Sequence, residues 1–208
     1  MDPRLENYAV EHTSPLAPEL EVVAQATREL TPRPGMMSGL VEARLLQALL
    51  HVARATRVLE VGTFTGLGAL AMAEALEPGG TVTTLEADPD HATLARAHID
   101  AHPLGDRVEL VTGDALQLIP TLEGPFDLIY VDAWKPDYPA YFELVLPLLE
   151  PHGIIVFDNA LHHGTVLEEG DAVGAFNDAI QADARVSNAL LTIGDGVLLV
   201  WPRGENTG

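Results

Sequence analysis

The chain has 208 residues, 47% of them hydrophobic and 20% charged, which is globular usage and excludes wholesale disorder or a collagen-like repeat. Eleven basic residues against 31 acidic ones leave a formal charge of −20; such a chain repels phosphate backbones and anionic lipid, so neither nucleic acid nor a membrane is an expected partner. Cysteine is absent, which excludes disulfides, thiolate catalysis, zinc fingers and iron–sulfur clusters.

The N-terminus, Met-Asp-Pro-Arg-Leu-Glu-Asn-Tyr, lacks the basic-then-apolar pattern of a secretory signal, and no apolar run reaches the ~20 residues a bilayer needs. A cytoplasmic location is the expectation. The length favours one domain over residues 1–208, with 1–53 as a helical cap and 57–202 as the core.

In chain order, Leu16, Leu20, Val23, Ala24 and Leu30 form a helical stripe over 16–30, ended by Thr31-Pro32-Arg33-Pro34-Gly35. Leu40, Ala43, Leu46, Leu50 and Ala53 predict a second helix over 39–53. From residue 57 short apolar runs alternate with helical segments. The runs cover 57–61, 81–86, 108–112, 126–132 and 153–158, and the helices between them 66–76, 89–102, 114–122 and 140–149. A helix around 172–182 follows. Two last runs, 187–193 and 197–201, flank Gly194-Asp195-Gly196, a hairpin signal. The expected fold is α/β: a doubly wound, Rossmann-like, mostly parallel sheet with helices on both faces and a C-terminal antiparallel pair.

Ligands of such sheets sit at the carboxyl ends of the strands. The first run leads into Glu60-Val61-Gly62-Thr63-Phe64-Thr65-Gly66-Leu67-Gly68, where glycines permit sharp turns and close approach to a ligand. The second ends at Glu86, followed by Ala87-Asp88; a carboxylate there suits the two hydroxyls of a ribose, while Asp88 alone would serve the next helix dipole. The third ends in Gly113-Asp114-Ala115, where Asp114 can accept from an adenine amino group or simply cap a helix. Taken together and in order, these features favour an adenosyl site. They resemble the class I S-adenosylmethionine-dependent methyltransferases.

The fourth run ends Val131-Asp132-Ala133-Trp134-Lys135 and the fifth Phe157-Asp158-Asn159. Neighbouring strands would bring Asp132 and Asp158 together with Asn159, an all-oxygen set suited to Mg²⁺, Mn²⁺ or Ca²⁺; capping of the following segments is the alternative. Lys135 is the single lysine beside ten arginines. Arginine replaces lysine wherever only charge is wanted, but it cannot give up a proton.

Asp-Ala-Trp-Lys, followed 26 residues after Asp132 by Asp158-Asn159, resembles the cation-dependent O-methyltransferase family, which includes catechol and caffeoyl-coenzyme A O-methyltransferases. The resemblance spans roughly residues 36–202. It implies that Asp132, Asp158 and Asn159 hold the divalent cation and that Lys135, beside Asp132, is the catalytic base. It also implies that Met36, Ser38, Glu60, Gly62, Thr63, Gly68, Glu86, Ala87, Asp114, Ala115 and Asp132 hold S-adenosylmethionine. The implied reaction is methyl transfer to a hydroxyl of a vicinal aromatic diol, and the implied assembly is a homodimer. Trp134 and Tyr138 are candidate walls for the ring, with core packing the equally good alternative for both.

Two departures stand out. Gly68 stands where the family often has Ser, and His162 stands near where relatives often place Trp. His162-His163 reads as a solvated pair rather than a transition-metal site. The competing classes are a nicotinamide-dependent oxidoreductase and a non-catalytic adenosyl-binding module. The order G-x-x-x-G-x-G instead of G-x-G-x-x-G, and the lack of a Tyr-x-x-x-Lys pair, count against the first. The Asp132, Asp158, Asn159 and Lys135 set counts against the second.

Overall fold

The computed structural model describes residues 3–204. Three helices lead the chain: α1 (Pro3–Glu11), α2 (Pro18–Leu30) and α3 (Leu40–Ala53). Then strands and helices alternate through β1 (Arg57–Val61), α4 (Leu67–Ala75), β2 (Thr81–Glu86), α5 (Pro89–Ala101), β3 (Val108–Thr112), α6 (Ala115–Leu118), β4 (Phe126–Val131), α7 (Tyr138–Val145) and β5 (Leu149–Phe157). Helix α8 (Ala172–Ala182) precedes the closing strands β6 (Val186–Leu191) and β7 (Val197–Pro202).

The sheet runs β3-β2-β1-β4-β5-β7-β6. The first five strands in that order are parallel, and β7 pairs antiparallel with both β5 and β6. The expected α/β class, parallel core and terminal antiparallel hairpin are therefore present. Strand order reverses between β1 and β4, and in an open α/β sheet that reversal opens the ligand crevice.

The apolar strands look continuous in sequence yet obey a period of two in space. Val58, Leu128, Tyr130 and Val156 pack on one face with Leu20, Leu46, Leu50 and Met72 of α2, α3 and α4. Leu59, Val61, Ile129, Val131, Ile155 and Phe157 pack on the other with Tyr138, Phe142, Phe176 and Ile180 of α7 and α8. Residues 16–53 thus cover one face of the same sheet. Among the described residues no helix is long and apolar enough to cross a membrane.

Several boundaries differ from the sequence expectation. Helix α1 has no apolar signature in the sequence: its residues Leu5, Tyr8 and Val10 are all exposed and make no buried stripe. Strand β5 begins at Leu149, which pairs with Phe126 across a register shift, so the run expected at 153–158 is the second part of a longer strand. The segment 114–122 is two short pieces, α6 and a 3-10 turn over Ile119–Thr121, with Pro120 denying an α-helical hydrogen bond.

Candidate active site

Turn geometry after β1 sets the site. Gly62 has φ +103, and a Cβ there would stand 2.1 Å from the carbonyl oxygen of Asp132, so the loop after β1 lies directly against the chain leaving β4. Asp132 N donates to Val61 O at 2.9 Å, which extends the β1–β4 ladder to this contact. Gly66, at φ +90, forms the N-cap of α4.

At the end of β2, both Glu86 oxygens receive backbone donors: Phe64 N at 2.7 Å and Asp88 N at 2.9 Å. Glu86 therefore pins the glycine-rich loop as well as facing the cavity. Asp88 and Asp114 are N-caps, Asp88 accepting from Asp90 N and His91 N and Asp114 from Leu116 N. The capping alternatives raised for both residues are therefore real. For Asp114 the cap engages one oxygen, while the residue still lines the cavity.

A cavity of about 820 Å³ opens over the β1–β4 reversal. Met36, Ser38, Gly62, Glu86, Ala87, Asp114, Ala115, Asp132, Trp134, Lys135, Asp158 and Asn159 line it, so residues from five strand ends and the segment before α3 meet around one space. Glu60, Thr63 and Gly68 line a smaller adjoining recess, shared with Ser38, Gly62 and Asp132.

Glu60 is 1% exposed and accepts from Thr84 Oγ1. Burial pushes its carboxyl up to about 8, despite that hydrogen bond. Thr63 Oγ1 lies 2.5 Å from Thr84 Oγ1, so its hydroxyl is engaged within the protein. A Cβ on Gly68 would meet Glu60 Oε1 at 2.4 Å, so Glu60 occupies the space into which a serine at 68 would project.

Lys135 Nζ donates to Asp132 Oδ1 at 2.6 Å, an ion pair with both side chains about four-fifths buried (21% and 20% exposed). Asp158 is 2% exposed; its Oδ2 accepts from Tyr130 OH and its Oδ1 from Asn159 N, both at 2.6 Å. Burial first, then the charges of Asp132 and Glu42, push the Asp158 carboxyl up to about 7. Asn159 sits at φ +53, in the left-handed region that Asn tolerates better than most residues.

For Tyr138 the core-packing alternative holds. It does not wall the cavity: it is fully buried, and its hydroxyl donates to the carbonyl of Asp158 at 2.8 Å. Its ring packs on Phe157 and Phe176 as part of the α7 core stripe with Phe142 and Val145. Trp134, by contrast, is 69% exposed at the cavity rim.

Sequence reading missed Glu42, Phe64, His91 and Asp195, which also line the cavity. Glu42 reaches it from α3, where its Oε2 accepts from Gly39 N. A Cβ on Gly194 would meet Glu42 Oε1, so the β6–β7 turn lies against it. Burial raises the Glu42 carboxyl, and Asp132 and Asp195 add to the effect. Glu42 follows Gly39 by three residues, which suggests helix capping; nothing local shows that it also faces Asp132.

Comparison with known proteins agrees with this architecture. The O-methyltransferase family model matches residues 10–202. A catechol O-methyltransferase from Niastella koreensis is 40% identical over 154 residues, covering 72% of this chain and 67% of that protein. A caffeoyl-CoA O-methyltransferase from Populus kitakamiensis is 32% identical over 216 residues, 94% of this chain and 92% of its own. The crystal structure of an O-methyltransferase from Bacillus cereus in complex with SAH superposes with a TM-score of 0.87 at 33% identity, covering 96% of this chain and 97% of that one. By fold, by the strand-end residues around one cavity and by these matches, the chain belongs to the O-methyltransferase family of class I S-adenosylmethionine-dependent enzymes.

Proposed function

We propose that this enzyme transfers a methyl group from S-adenosylmethionine to a hydroxyl of a vicinal aromatic diol, with a divalent cation held by Asp132, Asp158 and Asn159. The observation that supports it most is that a single cavity joins Gly62, Glu86 and Asp114 to Asp132, Lys135, Asp158 and Asn159. The names of the catechol and caffeoyl-CoA O-methyltransferase relatives support the aromatic acceptor.

The donor set fits a cation on chemical grounds. Burial first, and then the charges of Asp132 and Glu42, raise the Asp158 carboxyl, and a nearby positive charge would oppose this. Two carboxylates and an amide oxygen are hard ligands of the kind Mg²⁺ takes, with waters or substrate completing the shell. Among the described residues no group of three or more His, Asp or Glu side chains forms a metal site, so Asn159 is essential to the proposal. Bound there, a cation supplies Lewis acidity that lowers the pKa of a coordinated hydroxyl.

The remaining roles belong to side chains. Glu86 accepts from the ribose hydroxyls and Asp114 from the adenine amino group, while Met36, Ser38 and the Glu60–Gly68 recess face the methionine end. Lys135, held by Asp132, takes the proton leaving the acceptor hydroxyl. Asp132 orients that amine. Trp134 flanks the acceptor ring. Holding donor and acceptor in line removes much of the entropic cost of the encounter.

Calorimetry with S-adenosylmethionine and with NADH, followed by product analysis with catechol, tests the reading. Binding of the first alone and O-methylated catechol support it. NADH binding, or cofactor binding with no methylated product, would favour the oxidoreductase or the binding module.

A further inference from the structure

One wall of the cavity carries a pair that the methyl-transfer reading does not use. His162 lines the cavity three residues beyond Asn159, and its Nδ1 lies 2.8 Å from Asp171 Oδ2. Asp171 is otherwise engaged as the N-cap of α8: its Oδ1 accepts from Gly174 N at 2.8 Å, and Thr165 Oγ1 lies 2.9 Å from its Oδ2. A carboxylate ringed by donors only accepts, so the hydrogen of this contact is on Nδ1 of the imidazole. In that tautomer Nε2 is the ring nitrogen left to accept.

The backbone holds the ring in place. His162, His163 and Gly164 all have positive φ, at 46, 55 and 88. Three consecutive left-handed residues persist only where the surroundings fix them. Here the fixing contacts are visible: His162 N donates to Asn159 O at 3.1 Å, His163 N to Asp195 Oδ1 at 2.7 Å, and Gly164 N to Leu161 O at 2.8 Å. The polar side chains lining the same cavity include Glu42 and Asp195, which disfavour an anion beside the ring.

Resting on the diol-methylation reading, we infer that His162, its ring fixed by Asp171, is a specificity-determining residue whose Nε2 accepts a hydrogen bond from a hydroxyl or ammonium group carried by the acceptor ring away from its diol. The favoured acceptor is a catechol bearing a short hydrogen-bond-donating side chain, in preference to one bearing an alkyl group or a carboxylate.

The test compares kcat/KM for 4-(2-hydroxyethyl)catechol, 4-ethylcatechol and 3,4-dihydroxyphenylacetate with the full chain and S-adenosylmethionine. A ratio of two substrates on one preparation does not change with the fraction of folded enzyme. The wild type should prefer the hydroxyethyl compound to the ethyl one by ~10-fold, the scale of a lost hydrogen bond in a built site, and should use the carboxylate least. His162→Asn, which tolerates the left-handed backbone, should bring the hydroxyethyl-to-ethyl ratio to about one. Asp171→Asn keeps an N-cap residue for α8 but frees the imidazole, and should lower the ratio part of the way. A wild-type ratio near one, or a ratio that survives His162→Asn, overturns the assignment while leaving diol methylation standing. A full ratio in Asp171→Asn overturns the orienting role of Asp171. No turnover on any of the three diols overturns the diol reading itself, and this inference with it.

Discussion

Gly62 and Asp132 meet where the strand order reverses, so close that a Cβ on Gly62 would stand 2.1 Å from the Asp132 carbonyl oxygen. This contact joins the glycine-rich loop to the segment that carries Asp132 and Lys135. Gly62→Ala would combine positive-φ strain with a collision against backbone, which cannot rotate away. It should cost about 2 kcal/mol or more in urea unfolding and weaken S-adenosylmethionine binding in the same variant. Stability and affinity within error of the wild type would show that the loop can retreat without consequence.

Glu60 links stability to pH. Its carboxyl is buried and raised to about 8, against an ordinary value of 4.5. Between those values the folded chain keeps a proton that the unfolded chain releases, so this group's contribution is fully present below pH 4.5 and is lost as pH rises towards 8. The slope approaches about 1.4 kcal/mol per pH unit for one proton. Glu60→Gln imitates the neutral acid and removes that slope, so its stability relative to wild type should rise steadily between pH 5.5 and 8. Denaturant unfolding of both proteins across that range checks it; parallel curves would place the Glu60 carboxyl at an ordinary value.

Glu86 has two tasks that one variant separates. Both its oxygens hold backbone donors, Phe64 N and Asp88 N, while the side chain faces the cavity. Glu86→Ala should weaken S-adenosylmethionine binding by roughly 1–3 kcal/mol, the scale of lost charge-assisted hydrogen bonds. The two backbone bonds predict a lowered melting temperature as well. Lower stability with unchanged affinity in calorimetry would leave Glu86 as a loop anchor only.

How much of this was legible in the sequence follows from the distance over which each residue acts. Gly62, Glu86, Asp114, Asp132 and Asp158 were readable because each sits at or just after a strand end, and a parallel sheet puts those ends on one edge. Glu42 and Asp195 were not, because they reach the cavity from α3 and from the β6–β7 turn, elements whose placement depends on tertiary packing. Tyr138 stayed open between wall and core in the sequence, because the choice depends on which way α7 faces. It heads the α7 stripe of Tyr138, Tyr141, Phe142 and Val145 and turns into the core. At Gly68, where the family often has Ser, Glu60 already fills the space a side chain would take, and nothing local in the sequence shows this.

Lys135 stands against Asp132 at 2.6 Å, which permits two roles that arginine distinguishes. If Lys135 takes the acceptor's proton, Lys135→Arg should lower kcat by ~10²–10⁴, the usual worth of general acid–base catalysis. If the lysine only steadies phenolate charge, Arg should retain most activity while Lys135→Met loses it. Rates of both variants across pH decide between them, and the base assignment requires the Arg variant to fail.

The proposed reaction is cation-assisted methyl transfer to one oxygen of an aromatic diol. The most direct measurement follows an isotopically labelled methyl group from S-adenosylmethionine onto catechol and onto phenol by mass spectrometry, before and after EDTA treatment and after adding back Mg²⁺. The expected result is label on catechol only, abolished by EDTA and restored by Mg²⁺. Equal labelling of phenol, or undiminished labelling of catechol in chelator after exhaustive dialysis, would contradict the role given to Asp132, Asp158 and Asn159.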